Sequence, residues 1–264
     1  EANRNQRDYT RAEMRRAIRE VAACFAIYRT YVVPARGEIT EEDKAYIAQA
    51  TEYAKRERQD IGEGLFDFLR DILTMKVTGK QESELLLRFQ QFTGPVMAKG
   101  VEDTALYCYN RLCSMNEVGG DPGREGISVA EFHDYCLKMQ ATHPLTMTTL
   151  STHDTKRSED VRARIAVLSE IPGRFSAAIH RWSRMNSAFR SGRSGSFVMP
   201  DRNTEYLYYQ TLIGAWPLSV ERAQQYMLKA AREAKLQTSW TANNKPFEDA
   251  LQKFIADTLA HPPF

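Results

Sequence analysis

Leu145-Thr146-Met147-Thr148-Thr149-Leu150-Ser151-Thr152-His153-Asp154-Thr155-Lys156-Arg157 changes character half-way: six apolar or β-branched residues run directly into polar ones. The first half is short, follows Pro144, and has the composition of a strand. A polar cluster immediately after such a strand is where a (β/α) barrel carries its catalytic groups, because strand ends are rigid and the loops beyond them are wet and mobile. His153 and Asp154 are therefore the first site candidates. The local pattern leaves a second reading open, in which Asp154 caps the following helix and His153 bonds to backbone. Thr155 or Ser158 could cap that helix instead and leave Asp154 free.

Outward from this stretch the chain reads as helices. Upstream, Ser128-Val129-Ala130-Glu131 is a capping-box pattern that opens a helix with Phe132, Tyr135, Cys136 and Met139 on one side, stopped by His143-Pro144. Asn116 to Gly123 is a plain loop, and Asp103 to Leu112 is helical. Phe92-Thr93-Gly94-Pro95-Val96-Met97-Ala98-Lys99-Gly100 has two glycines and a proline around a short apolar run, which predicts an extended segment leading into a loop. Before residue 90 the periodicity is helical throughout. Thr10-Arg11-Ala12-Glu13 is a capping box, Thr40-Glu41-Glu42-Asp43 opens a second helix with a stripe of Ile47, Ala50, Tyr53 and Ala54, and helices follow over Ile61 to Leu73 and from Leu85. Downstream of Ser158, Val161, Ile165 and Leu168 face inward. Further helices are expected at Phe175 to Met185, Asn203 to Ile213, Glu221 to Lys235 and Phe247 to Leu259, with a flexible loop over Arg190 to Ser196.

The bulk properties narrow the class without choosing within it. A chain of 264 residues with 42% hydrophobic residues can bury a large core. Lysine and arginine number 36 against 34 acids and are interleaved with them, so neither nucleic acid nor a membrane surface is indicated as a partner. Cys24, Cys108, Cys113 and Cys136 lack metal-type spacing with the histidines and read as free thiols of a cytoplasmic protein. No apolar run approaches a membrane span, and no signal pattern opens the chain. The opening Glu1-Ala2-Asn3-Arg4, with no initiator methionine, reads like the inside of a helix and suggests a fragment.

A longer comparison decides the family. Ser151-Thr152-His153-Asp154-Thr155-Lys156-Arg157-Ser158-Glu159-Asp160-Val161-Arg162-Ala163-Arg164 resembles a segment peculiar to maltooligosyl trehalose synthases of the α-amylase superfamily. Arg88-Phe89-Gln90-Gln91, Gly94 to Thr104 and Asn116 to Pro122 form a second resemblance. Pro200-Asp201-Arg202-Asn203, Tyr209-Gln210-Thr211 and Gly214-Ala215-Trp216-Pro217, with Lys229-Ala230 and Arg232 to Lys235, form a third. Leu106, Cys108, Cys113 and Met115 depart from the family pattern. The resemblance implies an isomerase that turns the reducing-end α-1,4 linkage of a maltooligosaccharide into an α,α-1,1 linkage by retaining intramolecular transfer, with no cofactor or metal. A glucan hydrolase or glucanotransferase on a related barrel, and a non-catalytic helical interaction module, are the alternative readings.

The same resemblance implies roles for particular residues. Asp154 matches the superfamily's third carboxylate, which stabilises the oxocarbenium-like transition state, and His153 is its neighbouring hydroxyl ligand. The nucleophilic aspartate and the acid/base glutamate have no counterpart: Asp60 and Glu63 are in helical context, and Asp103 lacks the arginine two places before it. The chain alone is therefore expected to be inactive, and its expected partners are a maltooligosaccharide and the missing N-terminal part of the same enzyme. Lys99, Glu102 and Asp103 suit hydrogen bonding to sugar hydroxyls, or else a solvated helix start. Lys156 and Arg157 are candidates either for substrate contact or for pinning Asp160 or Glu159. Asn116 and Glu117 are candidates for a cleft wall. Trp182, Trp216 and Trp240 are candidates for stacking on sugar faces, although a tryptophan on a helix is more often core, and His133, His143, His180 and His261 read as structural. The expected fold class is mainly α, with helical domains flanking a late fragment of a (β/α)8 TIM barrel with few short strands. The expected divisions are a helical domain over 1–87, a barrel-derived segment over 88–172 and a helical domain over 173–264.

Overall fold

A computed structural model describes residues 8–124, 126–190, 193–194 and 197–261. The expectation for Glu1 to Arg4, and part of that for Arg190 to Ser196, lie outside the described residues. The chain forms two compact units, Glu1–Val101 and Glu102–Phe264. Both are helical, and the sheet among the described residues is one two-residue ladder, β1 (Arg193–Ser194) antiparallel to β2 (Phe197–Val198).

The first unit contains α1 (Arg11–Ala23), α2 (Glu41–Glu57), α3 (Glu63–Leu73) and α4 (Lys80–Val96). The capping boxes form as expected. Thr10 accepts from the Glu13 amide while Glu13 reaches back, and Thr40 and Asp43 do the same at α2. Ala17 and Val21, Ile47 and Ala54, Leu65 and Phe66, and Leu86 and Phe89 share one core, with Phe25 packed edge-on against Phe89 at 5.4 Å. Tyr53, expected in the buried stripe of α2, is exposed, as is Phe92 on α4. Buried Gln90 ties the preceding loop to α4. Its Oε1 accepts from the Val32 amide (3.1 Å) and Thr30 Oγ1 (3.2 Å), and its Nε2 donates to the Val32 carbonyl (3.0 Å).

The expected extended segment around Pro95 does not exist. α4 runs through Thr93, Gly94 and Pro95 to Val96, and the chain continues as a π-helical stretch, Met97–Ala105, into the short α5 (Leu106–Cys108). A proline lacks one donor and crowds the carbonyl four residues before it, and Pro95 sits in the last turn of α4, where few further bonds of that helix depend on it. The helix expected over Asp103 to Leu112 is correspondingly shorter. The border between the two compact units falls at Val101/Glu102, inside the π-helical stretch, while position 87/88 lies within α4.

The second unit contains α6 (Val129–Thr142), α7 (Glu159–Ala166), α8 (Pro172–Met185), α9 (Arg202–Ala215), α10 (Val220–Ala234) and α11 (Lys245–Ala260). Its core gathers Tyr107 and Cys113, Ile165 on α7, Tyr208 and Tyr209 on α9, Met227 on α10, and Leu251, Phe254 and Ile255 on α11. Residues before and after 172 therefore share one core, and no division falls at that point. α6 forms where its capping box predicts, yet buries none of its residues. Phe132, Tyr135 and Leu137, the first two of them expected in a packed face, are exposed. Trp216 and Trp240, expected in the core, are exposed as well.

The strand expected over Leu145 to Leu150 is also absent. The segment is a turn and irregular chain, with Leu145 94% and Met147 95% exposed. A strand needs a neighbouring ladder to satisfy its amides, and among the described residues none lies alongside. No described helix is long and apolar enough to cross a membrane.

Candidate active site

The polar loop from Ser151 to Ser158 connects this irregular segment to α7. Ser158, and not Asp154, is the N-cap residue of α7. The first amide of the helix, that of Glu159, is satisfied by Ser151 Oγ at 3.2 Å, and Ser151 Oγ in turn bonds the Glu159 carboxylate. Asp154 is thereby left free of capping. Its carboxylate faces His153 Nε2 at 3.3 Å, and the two side chains are 73% and 91% exposed. The tip around them is held by local bonds: the Asp154 amide donates to Thr152 Oγ1 (3.2 Å), and Thr155 Oγ1 donates to the Thr152 carbonyl (2.7 Å).

Beyond the tip, the other candidates of the second unit converge. Lys156 Nζ donates to Asp103 Oδ1 at 2.6 Å, with both side chains largely sequestered. Buried Glu102 accepts from the Gly119 amide (3.1 Å). Glu117 accepts from the amides of Lys156 (2.6 Å) and Arg157 (3.1 Å). Asn116 is buried, and its side-chain nitrogen donates to the Leu106 (2.9 Å) and Tyr109 (2.5 Å) carbonyls, so it braces the end of α5. Arg157 does not reach Asp160 or Glu159. Its guanidinium enters the core, donating to the Cys113 carbonyl (3.0 Å) and to Tyr226 Oη (2.6 Å). Lys99 lies in the first unit, on the π-helical stretch.

The electrostatics around Arg157 follow from this burial. Desolvation opposes its charge, but Tyr226, Cys113, Tyr107 and Glu117 outweigh it and hold the guanidinium more firmly protonated than usual. Burial pushes the Tyr226 phenol and the Cys113 thiol up, so both stay neutral against the cation. The sequence offered no signal for Tyr226 or Cys113, because they meet Arg157 from 69 and 44 positions away. Among the described residues no cluster of His, Cys, Asp and Glu could hold a metal ion.

An exposed His–Asp pair on a loop stem stitched to an acidic and basic network suits recognition of sugar hydroxyls. A Mycobacterium tuberculosis protein named provisionally as a maltooligosyl trehalose synthase is 41% identical over 186 residues, or 68% of this chain. The chain is a relative of the maltooligosyl trehalose synthases. It spans 23% of that relative's length. The maltooligosyltrehalose synthase structure from Arthrobacter ramosus superimposes with a TM-score of 0.76 at 37% identity, over 94% of this chain and 30% of the other. A hypothetical maltooligosyl trehalose synthase from Sulfolobus tokodaii gives a TM-score of 0.71 at 31% identity, over the same shares. No protein-family model matches the chain.

Proposed function

We propose that the chain is part of an isomerase that converts the reducing-end α-1,4 linkage of a maltooligosaccharide to an α,α-1,1 linkage. The observation that carries this reading is the Ser151–Arg157 loop. His153 and Asp154 are paired and solvent-facing at its tip, Asp154 is released from capping duty by Ser151 and Ser158, and the matched relatives bear the synthase name. Asp154 is the transition-state stabiliser and His153 a hydroxyl ligand. Glu102, Asp103 and Lys156 belong to the reducing-end side of the cleft, and Lys99, within its own unit, is a ligand of sugar hydroxyls.

A retaining transfer needs a nucleophilic carboxylate and an acid/base about 5 Å apart across the scissile bond. No segment of this chain supplies that pair, so they come from the remainder of a longer enzyme, and the chain alone is inactive. The same remainder completes the barrel. Leu145 to Leu150, extended in composition and apolar, pairs there as a parallel strand and delivers His153 and Asp154 at its end. In the reaction the acid/base protonates the leaving glycosidic oxygen as the nucleophile takes the anomeric carbon. The released glucose turns over in the site, and its anomeric hydroxyl, deprotonated by the same group, attacks the glycosyl-enzyme. Water must be excluded, because hydrolysis is the competing outcome.

Product analysis of the longer enzyme on maltopentaose tests this reading. A non-reducing product of the same size is expected; accumulation of glucose and maltose without it would identify a hydrolase. Asp154→Asn is expected to lower turnover by about 10³-fold or more. A loss of less than about threefold would instead favour a non-catalytic helical module.

A further inference from the structure

Glu117 was a candidate for the wall of the cleft, yet its carboxylate faces inward on the backbone. Oε1 accepts from the Lys156 amide (2.6 Å) and the Val118 amide (3.0 Å), while Oε2 accepts from the Arg157 amide (3.1 Å) and faces Arg162 Nη1 at 3.9 Å. A carboxylate has about four lone-pair sites, and the three amide hydrogen bonds use most of them. The side chain is 12% exposed, which leaves little surface for a sugar hydroxyl. Arg157 is likewise withdrawn: it is 8% exposed, and its guanidinium donates to the Cys113 carbonyl and Tyr226 Oη.

We propose that Glu117 and Arg157 are positioning residues that set the loop carrying His153 and Asp154, and are not ligands of the substrate. The inference rests on the role given to Asp154 above. Arg162 completes the device. One of its nitrogens faces Glu117 and another donates to the Leu150 carbonyl, so a single ion pair draws together the two ends of the 150–157 loop. Arg157 then fixes that closed base to α10 through Tyr226. The tip has only local bonds of its own among those described, so the placement of Asp154 is inherited from the base. A misplacement of about 1 Å at a reacting centre costs about 10²-fold in rate, while a residue remote from the sugar leaves ground-state binding alone.

The test uses an enzyme chain that also carries the nucleophile and acid/base. It combines kinetics on maltopentaose with amide exchange of the peptide 150–157, read by mass spectrometry. Glu117→Ala is expected to lower kcat about 10²-fold with KM within about twofold, and to speed exchange in that peptide at least about tenfold. Glu117→Gln retains one carbonyl acceptor and is expected to recover part of both effects. Tyr226→Phe keeps the ring and removes one hydrogen bond; it is expected to give the same signature more weakly, and it decides the matter if Glu117→Ala does not fold. A raised KM with kcat unchanged would make Glu117 a substrate ligand and overturn the proposal, as would unaltered exchange. Asp154→Asn measured in parallel separates the two claims: wild-type turnover there refutes the role of Asp154, while the exchange result still judges the clamp.

Discussion

Gly214 shows how much a single residue can settle. It lies inside α9 where α7 crosses, and a Cβ there would stand 2.8 Å from Ile165 Cδ1 and Cγ1 and from Val161 Cγ1. Gly214→Ala should therefore destabilise the second unit by about 1–3 kcal/mol despite the better helix propensity of alanine. A urea unfolding midpoint equal to or above that of the parent chain would contradict this. The sequence presents Gly214 only as part of Gly214-Ala215-Trp216-Pro217, with nothing in its spacing to say what packs on it. The site divides in the same way. The exposed, polar setting of His153 and Asp154 could be read from the sequence, because a polar tip after an apolar run is a local signal. The uses of Glu117, Asn116 and Arg157 were not, since their partners lie up to 69 positions away and only the folded chain brings them together.

At the scale of elements, capping chemistry was the most legible part of the fold. The boxes at Thr10, Thr40 and Ser128 each start a helix at the expected residue, because the cap and its N3 partner are neighbours in sequence. The continuation of α4 through Pro95 was hidden: composition reports the proline's missing donor, but not that the chain stays helical past it and runs on as a π stretch. The α10–α11 pair gives a prediction of its own. Arg232 grips Glu248 with two bonds (2.9 and 2.7 Å), and Thr238 Oγ1 adds a third at 2.6 Å. The Arg232 hydrogen bonds, against the opposing effect of burial, hold the Glu248 carboxyl at about 2 instead of the ordinary 4.5. A depressed folded-state pKa gives stability that is complete above about 4.5 and lost as the pH falls toward 2. Glu248→Gln should flatten the stability profile across that window, and at pH 7 should cost about 2–3 kcal/mol. A profile parallel to that of the parent chain in denaturant titrations would exclude this account.

For the molecule as a whole, the helical class was legible from periodicity, while the absence of a strand at Leu145 to Leu150 was not. Strand composition states a preference, and a ladder needs partners that a window of sequence cannot supply. The exposed apolar residues of that segment and of α6 mark a surface that a longer enzyme would cover. Cys136 on α6 reports on it. It is exposed here, whereas Cys113 is buried with its thiol pushed up by desolvation. A maleimide should label Cys136 well ahead of Cys113 in this chain, and Cys136 should react at least about tenfold more slowly in the longer enzyme. Equal rates at Cys136 in both would mean that the rest of a longer enzyme does not cover this surface.

The bare surface of α6 has one more outcome. A helix of 14 residues that buries none of them rests mainly on its propensity and its capping box, and at that length it opens readily in water. Opening presents Phe132, Tyr135 and Leu137 to chymotrypsin, so the first nicks should fall within α6 or in the exposed, irregular segment 145–150 that follows it. The nicked second unit should nevertheless stay in one piece under native conditions, since Tyr107 and Cys113 before the cut share a core with Tyr208 and Phe254 after it. Two bands on a denaturing gel and one peak on a sizing column would record α6 as a tether between parts already held by other means.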